Sequence, residues 1–64
     1  MINIYIETEK MHASTAVEMV PRIGELIEMR GIDFRVTDVK HVIGDRYTDS
    51  SIKVLATEEI GDNW

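Results

Sequence analysis

The chain has 64 residues, room for one small domain with a small core. With no cysteine and no unbroken apolar run longer than three residues, it holds no disulfide, thiolate metal site or cysteine nucleophile, and no stretch of the ~20 apolar residues that spans a membrane as a helix. Twelve acidic residues against seven basic ones leave a formal net charge of −5, which disfavours nucleic acid as a partner because that affinity comes mainly from cations on phosphates.

The chain opens on Met1-Ile2-Asn3-Ile4, without a basic region or a long apolar stretch, so no signal peptide is expected and the cytoplasm is the expected compartment. Ile2, Ile4 and Ile6 alternate with Asn3, Tyr5 and Glu7. That period-two pattern predicts a half-buried strand. Lys10 to Thr15 reads as a polar connection containing His12.

Residues 15–30 admit two readings. In the helical one, Thr15-Ala16-Val17-Glu18 fits a capping box, Ala16, Val20, Ile23 and Ile27 recur at helical spacing, and Gly31 supplies the C-cap. The fold is then α+β, in the order β-α-β-β. Pro21 opposes one continuous helix, at a cost of about 3 kcal/mol in an interior turn. In the extended reading, Val17 and Met19 alternate with Glu18 and Val20, and Pro21-Arg22-Ile23-Gly24 is a turn. Ile27 and Met29 then share a face, and Arg30-Gly31 opens a tight connection whose glycine suits a positive φ.

Phe34 and Val36 share one face; Val39, His41 and Ile43 carry the apolar beat on after a one-residue shift. A β-bulge near Thr37-Asp38 would produce that shift. Residues 44–50 form a polar loop. Ile52, Val54 and Ala56 alternate with Lys53, Leu55 and Thr57 as a last strand, followed by an acidic tail over 58–64.

The stretch Val20-Pro21-Arg22-Ile23-Gly24-Glu25 is followed by Ile27, Met29, Gly31, Phe34, Val36, Val39 and His41, then by Ile52-Lys53-Val54. Over about residues 17–57 this resembles a loose group of small phage and prophage proteins. Their pattern is P-R-x-G-E, an apolar strand, a glycine turn, an aromatic-x-Val strand ending near His, and one more strand. The resemblance implies an all-β domain, a small antiparallel barrel of the Src-homology-3-like kind. It implies host-cell cytoplasm if the protein is phage-encoded, and it implies no activity.

Candidate chemistry is sparse. His12 and His41 stand far apart in sequence, and His41 is expected at a core edge, held by a hydrogen bond. Ser14, Ser50 and Ser51 lack a base with its orienting partner. Asp45-Arg46-Tyr47-Thr48-Asp49 lacks the spacing of a calcium loop, and no phosphate-cradling glycine motif occurs. No catalytic residue, metal ligand or cofactor is assigned.

The second face of the strands is the candidate binding surface. Arg35, Lys40 and Lys53 point outward beside Val42 and Leu55, with Val20 and Leu26 joining from neighbouring strands. A purely solvated face is mostly polar, so this mixture predicts either that the curl of a small barrel buries some of these side chains, or that the face is a contact surface or dimer seam. Arg46 and Tyr47 in the polar loop, and Trp64 at the end, are of the types enriched at interfaces. The expected function is non-enzymatic: a small accessory protein that binds a host or phage protein and alters its activity. The alternative is a homo-oligomeric structural or ligand-sequestering protein, with a polar ligand held between subunits by Arg35, Lys40 or Arg46.

Overall fold

A computed structural model describes residues 1–60. Every regular element in it is a strand: β1 (Ile2–Glu7), β2 (His12–Val17), β3 (Leu26–Met29), β4 (Ile32–Val42) and β5 (Ser51–Glu58). They form one curled sheet in the order β2-β1-β5-β4-β3, a half-barrel. All neighbours are antiparallel except β1 and β5, which run parallel with Ile6 opposite Val54. β1, β3 and β5 therefore point one way, and β2 and β4 the other.

The helical reading of residues 15–30 is excluded. β2 begins at His12, inside the stretch expected to be a connection, and runs in unbroken register from Glu7↔His12 to Ile2↔Val17. Gly24 has φ +93°, outside any right-handed helix. It sits in a turn where Glu25 N donates to Arg22 O at 3.0 Å and Arg22 N donates to Glu25 Oε1 at 2.6 Å. Val36 ties this turn to β4: its carbonyl accepts from Gly24 N at 2.8 Å and its amide donates to Glu25 O at 2.9 Å.

Two other local readings agree with the fold. Arg30 (φ +54°) and Gly31 (φ +78°) make the two-residue turn from β3 to β4, with Met29 opposite Ile32. Paired positive φ values match the turn to the right-handed twist of the strands. The register of β4 on β5 slips between Val36 and Asp38, so Thr37 is the bulge residue; its hydroxyl donates to Leu55 O at 3.2 Å. The bulge keeps Val36 and Val39 on the same inner face although three positions separate them.

The core lies in the concave side of the sheet. Ile4, Ile6, Val36 and Val54 are buried and in contact, with Val17, Val20, Ile27, Met29, Val39 and Ile52 packed around them; Phe34 and Ala56 are also buried. Val20 thus faces inward, not outward as its sequence neighbours suggested: the chain turns at Pro21 and folds it over the core. β5 continues through Glu58, and Glu59 N donates to Asp33 O at 2.9 Å, so the expected tail begins later than 58. Trp64 lies outside the described residues. No helix among the described residues is long and apolar enough to cross a membrane.

Candidate binding surfaces

The convex face collects most of the residues that sequence alternation put there. Lys40 stands opposite Lys53, and Val42 opposite Ser51, while Leu55 lies between Glu7 and Asp38 on the flanking strands. Two like charges directly opposite repel; Lys53 is compensated by Glu7, whose Oε1 lies 3.1 Å from Nζ, and by the Tyr5 ring at 5.8 Å. Tyr5 also approaches the His12 ring, centroids 6.0 Å apart. Leu26 is on this side too, opposite Arg35 and 49% exposed.

Arg35 shares the face but has other duties. Its Nη1 donates to Gly24 O and its Nη2 to Glu59 Oε1, both at 2.8 Å. The hydrogen bond from Arg35 holds the Glu59 carboxyl below its ordinary pKa and raises that of the guanidinium in turn. This side chain braces the P-R-x-G-E turn against β4 and the residue after β5. On the neighbouring central strand, where Thr57 stands opposite Arg35, Glu9 accepts from Thr57 Oγ1 at 2.6 Å and from Glu58 N at 3.1 Å. The Thr57 hydroxyl is the main cause of a lowered Glu9 pKa.

Arg46 and Tyr47 sit apart from that face, on the loop joining β4 to β5. The loop is internally bonded: Asp45 Oδ1 accepts from Tyr47 N at 2.8 Å and Thr48 N at 2.9 Å, Asp45 N donates to Thr48 O at 2.8 Å, and Gly44 N donates to Ser50 Oγ at 2.9 Å. Tyr47 is 86% exposed at its tip. His41, expected at a core edge, is exposed beside Ile23 and Pro21. It stands opposite Ile52, one residue before β4 ends at Val42, beyond the buried part of the strand.

A second surface comes from the topology. β2 and β3 are the two edges of the curled sheet, and they face each other without pairing: no Cα of one comes within 8 Å of the other. Between them lies a cleft of about 810 Å³, inside the size range of ligand sites. Its floor is Ile4, Ile6, Val17, Ile27 and Met29; Ala13 and Thr15 come from β2. Lys10 and Arg30 are its cations and Glu28 its carboxylate. Lys10 is held by Glu58 Oε1 at 2.8 Å, and that hydrogen bond raises its pKa. Arg30 has no carboxylate within 4.0 Å among the described residues.

Neither β2 nor this cleft was visible in the sequence. The one signal was Ile27 and Met29 on a common face with too few apolar residues in 10–16 to cover them. Chemically, the cleft offers main-chain donors and acceptors along two edges, an apolar floor, and charge confined to Lys10, Glu28 and Arg30. Among the described residues no three His, Cys, Asp or Glu side chains converge as a metal site. No family model matches the chain, and comparison with curated proteins and with solved structures gives no significant match.

Proposed function

We propose that this protein is a non-enzymatic binding domain that takes up an extended segment of a protein partner and modulates that partner. The observation that carries this reading is the apolar cleft bounded by the two unpaired edges of β2 and β3. An exposed sheet edge beside an apolar trough is the geometry of strand addition, in which main-chain bonds give affinity and pockets for alternate side chains give specificity. The half-barrel is read as an unclosed member of the Src-homology-3-like barrels, and the P-R-x-G-E resemblance supports an accessory protein of phage type acting on a host or phage partner.

The convex face, with Lys40, Val42, Lys53 and Leu55, is the competing surface. The cysteine-free chain makes the choice testable, because one introduced cysteine carries a cross-linker at a single place. Thr15→Cys places it in the cleft and Lys40→Cys on the convex face. In extract from the producing cell, the Thr15 probe is expected to form a specific protein adduct and the Lys40 probe none. Adducts from Lys40 alone would move the interface to the convex face; adducts from neither would remove the reading.

A homo-oligomer is the second reading. It is favoured by β2, whose residues His12–Val17 include no Lys, Arg, Asp or Glu. Natural sheets usually guard a free edge with charge, proline or a bulge. Sedimentation at micromolar concentration separates the two: a monomer removes self-association.

A further inference from the structure

Resting on that reading, we infer that the partner supplies a single strand that enters between β2 and β3, pairs with both, and closes the half-barrel into a six-stranded barrel. Neighbouring strands lie about 4.7–4.9 Å apart, so one interposed strand needs edges about 9.5 Å apart. β2 and β3 are too far apart to bond each other, yet both line one cleft. The floor beneath the gap is apolar, and Val17, Ile27 and Met29 are only half-buried on it. A strand there would place alternate side chains on that floor and the others in solvent.

The topology restricts how the strand runs. β2 and β3 point in opposite directions, so any one strand between them is antiparallel to one and parallel to the other. β2 pairs along six residues and β3 along four, and antiparallel pairing is the more stable per residue. The incoming strand therefore runs antiparallel to β2 and parallel to β3. Its length follows from β2, about six residues or roughly 20 Å.

Charge sets its chemistry. The cleft lining holds two cations and one carboxylate, and since Lys10 is already paired with Glu58, Arg30 is the cation left for an occupant. Arg30, free of ion pairs among the described residues, directly follows Met29 at the end of β3, and Lys10 lies just before β2 begins at His12. Since β2 and β3 run oppositely, both cations stand at the same end of the cleft. A strand parallel to β3 brings its C-terminal end there. The occupant is thus an extended segment with alternating apolar residues and an Asp or Glu toward its C-terminal end. A second copy fits less well, because its open β2 edge brings no carboxylate to Arg30.

The test is selection of a randomised seven-residue display library on the full chain, followed by amide chemical-shift mapping with an enriched peptide. The expected peptides alternate apolar residues, carry an acid near the C-terminal end, and shift amides in both His12–Val17 and Leu26–Met29. Arg30→Glu, checked for fold by circular dichroism, is expected to weaken them about threefold or more. Shifts confined to one edge would overturn barrel closure, and peptides indifferent to Arg30→Glu would overturn the acidic occupant. Concentration-dependent association through β2 would assign the edge to a second copy. The only tryptophan reports on the chain itself: blue-shifted emission that reverts on adding peptide would give the cleft to the chain's own last residues. No enrichment beside a Thr15 cross-link would discard the strand and leave the binding reading standing; failure of both discards both.

Discussion

Val54 is a side chain whose loss the fold should feel clearly. It is fully buried on β5, opposite Ile6 across the parallel pair and opposite Val39 across the antiparallel one. Val54→Ala removes two methyl groups, about 1.6 kcal/mol at ~0.8 kcal/mol per buried carbon. A residual void of up to about 50 Å³ adds up to ~1.2 kcal/mol at ~24 cal/mol per Å³. The expected cost is therefore about 2–3 kcal/mol, out of the roughly 3–5 kcal/mol that a core of this size supplies. In urea, with a slope near 1 kcal/mol per molar, the unfolding midpoint should fall by about 2 M or more. Ile43→Ala is the control, since Ile43 is 82% exposed; it should stay within about 0.5 kcal/mol of the parent. Circular dichroism at fixed protein concentration reads both. If the two variants unfold within about 0.5 kcal/mol of each other, the concave side of the sheet is not the core and the architecture falls.

Three further outcomes follow from local geometry. Arg30 occupies the left-handed region, which costs a non-glycine residue about 1–2 kcal/mol and asparagine less; Arg30→Asn should raise the thermal midpoint, by about 0.5–1 kcal/mol in stability, and a lowered midpoint would contradict the turn. Thr57→Val removes the hydroxyl that chiefly depresses the Glu9 pKa, so the Glu9 carboxyl should titrate higher in a carbon-13 NMR titration. Because that pKa is lowered by folding, its stabilisation is present above the ordinary carboxylate range and lost as pH falls through the folded value. The decline of the parent's urea midpoint on acidification should accordingly be shallower in Thr57→Val. At Gly44 an added Cβ would overlap Thr48 O and crowd Ser50 N; Gly44→Ala should open the loop, seen as faster amide exchange at Tyr47 and Thr48, and unchanged exchange would refute the loop's internal bonding.

What could be read in advance was whatever leaves a short-range periodic trace. β1 and β5 alternate cleanly because each has one face on the core. The Arg30-Gly31 turn and the bulge at Thr37 show as a glycine in place and a phase slip in the apolar beat. β2 left no such trace. As an edge strand it half-buries only Ala13 and Val17, so its pattern is too weak to exclude a helix, and Thr15 with Glu18 imitates a cap. The convex placement of Lys40, Lys53, Val42 and Leu55 follows from alternation alone. The inward turn of Val20 follows from the tertiary path after Val17, and the brace from Arg35 to Glu59 joins residues that only the meeting of β4 and β5 brings together. The cleft was out of reach altogether: it exists because β1 pairs with β5, which leaves β2 and β3 as the edges.

That pairing of the earliest strand with the latest also governs when the molecule can form. Thr57 and Glu9, in contact in the finished fold, are 48 positions apart. Ribosomes add about 5–20 residues per second, so β1 and β2 exist for several seconds before β5 emerges to take its place between β1 and β4. A core that draws Ile4 and Ile6 from one end and Val54 from the other cannot assemble during that interval. Folding is accordingly a late, collective event of high contact order, expected on the millisecond-to-second scale of β-topologies rather than in microseconds. Until then, β1 has an open side that a chaperone, or another nascent chain, is free to occupy.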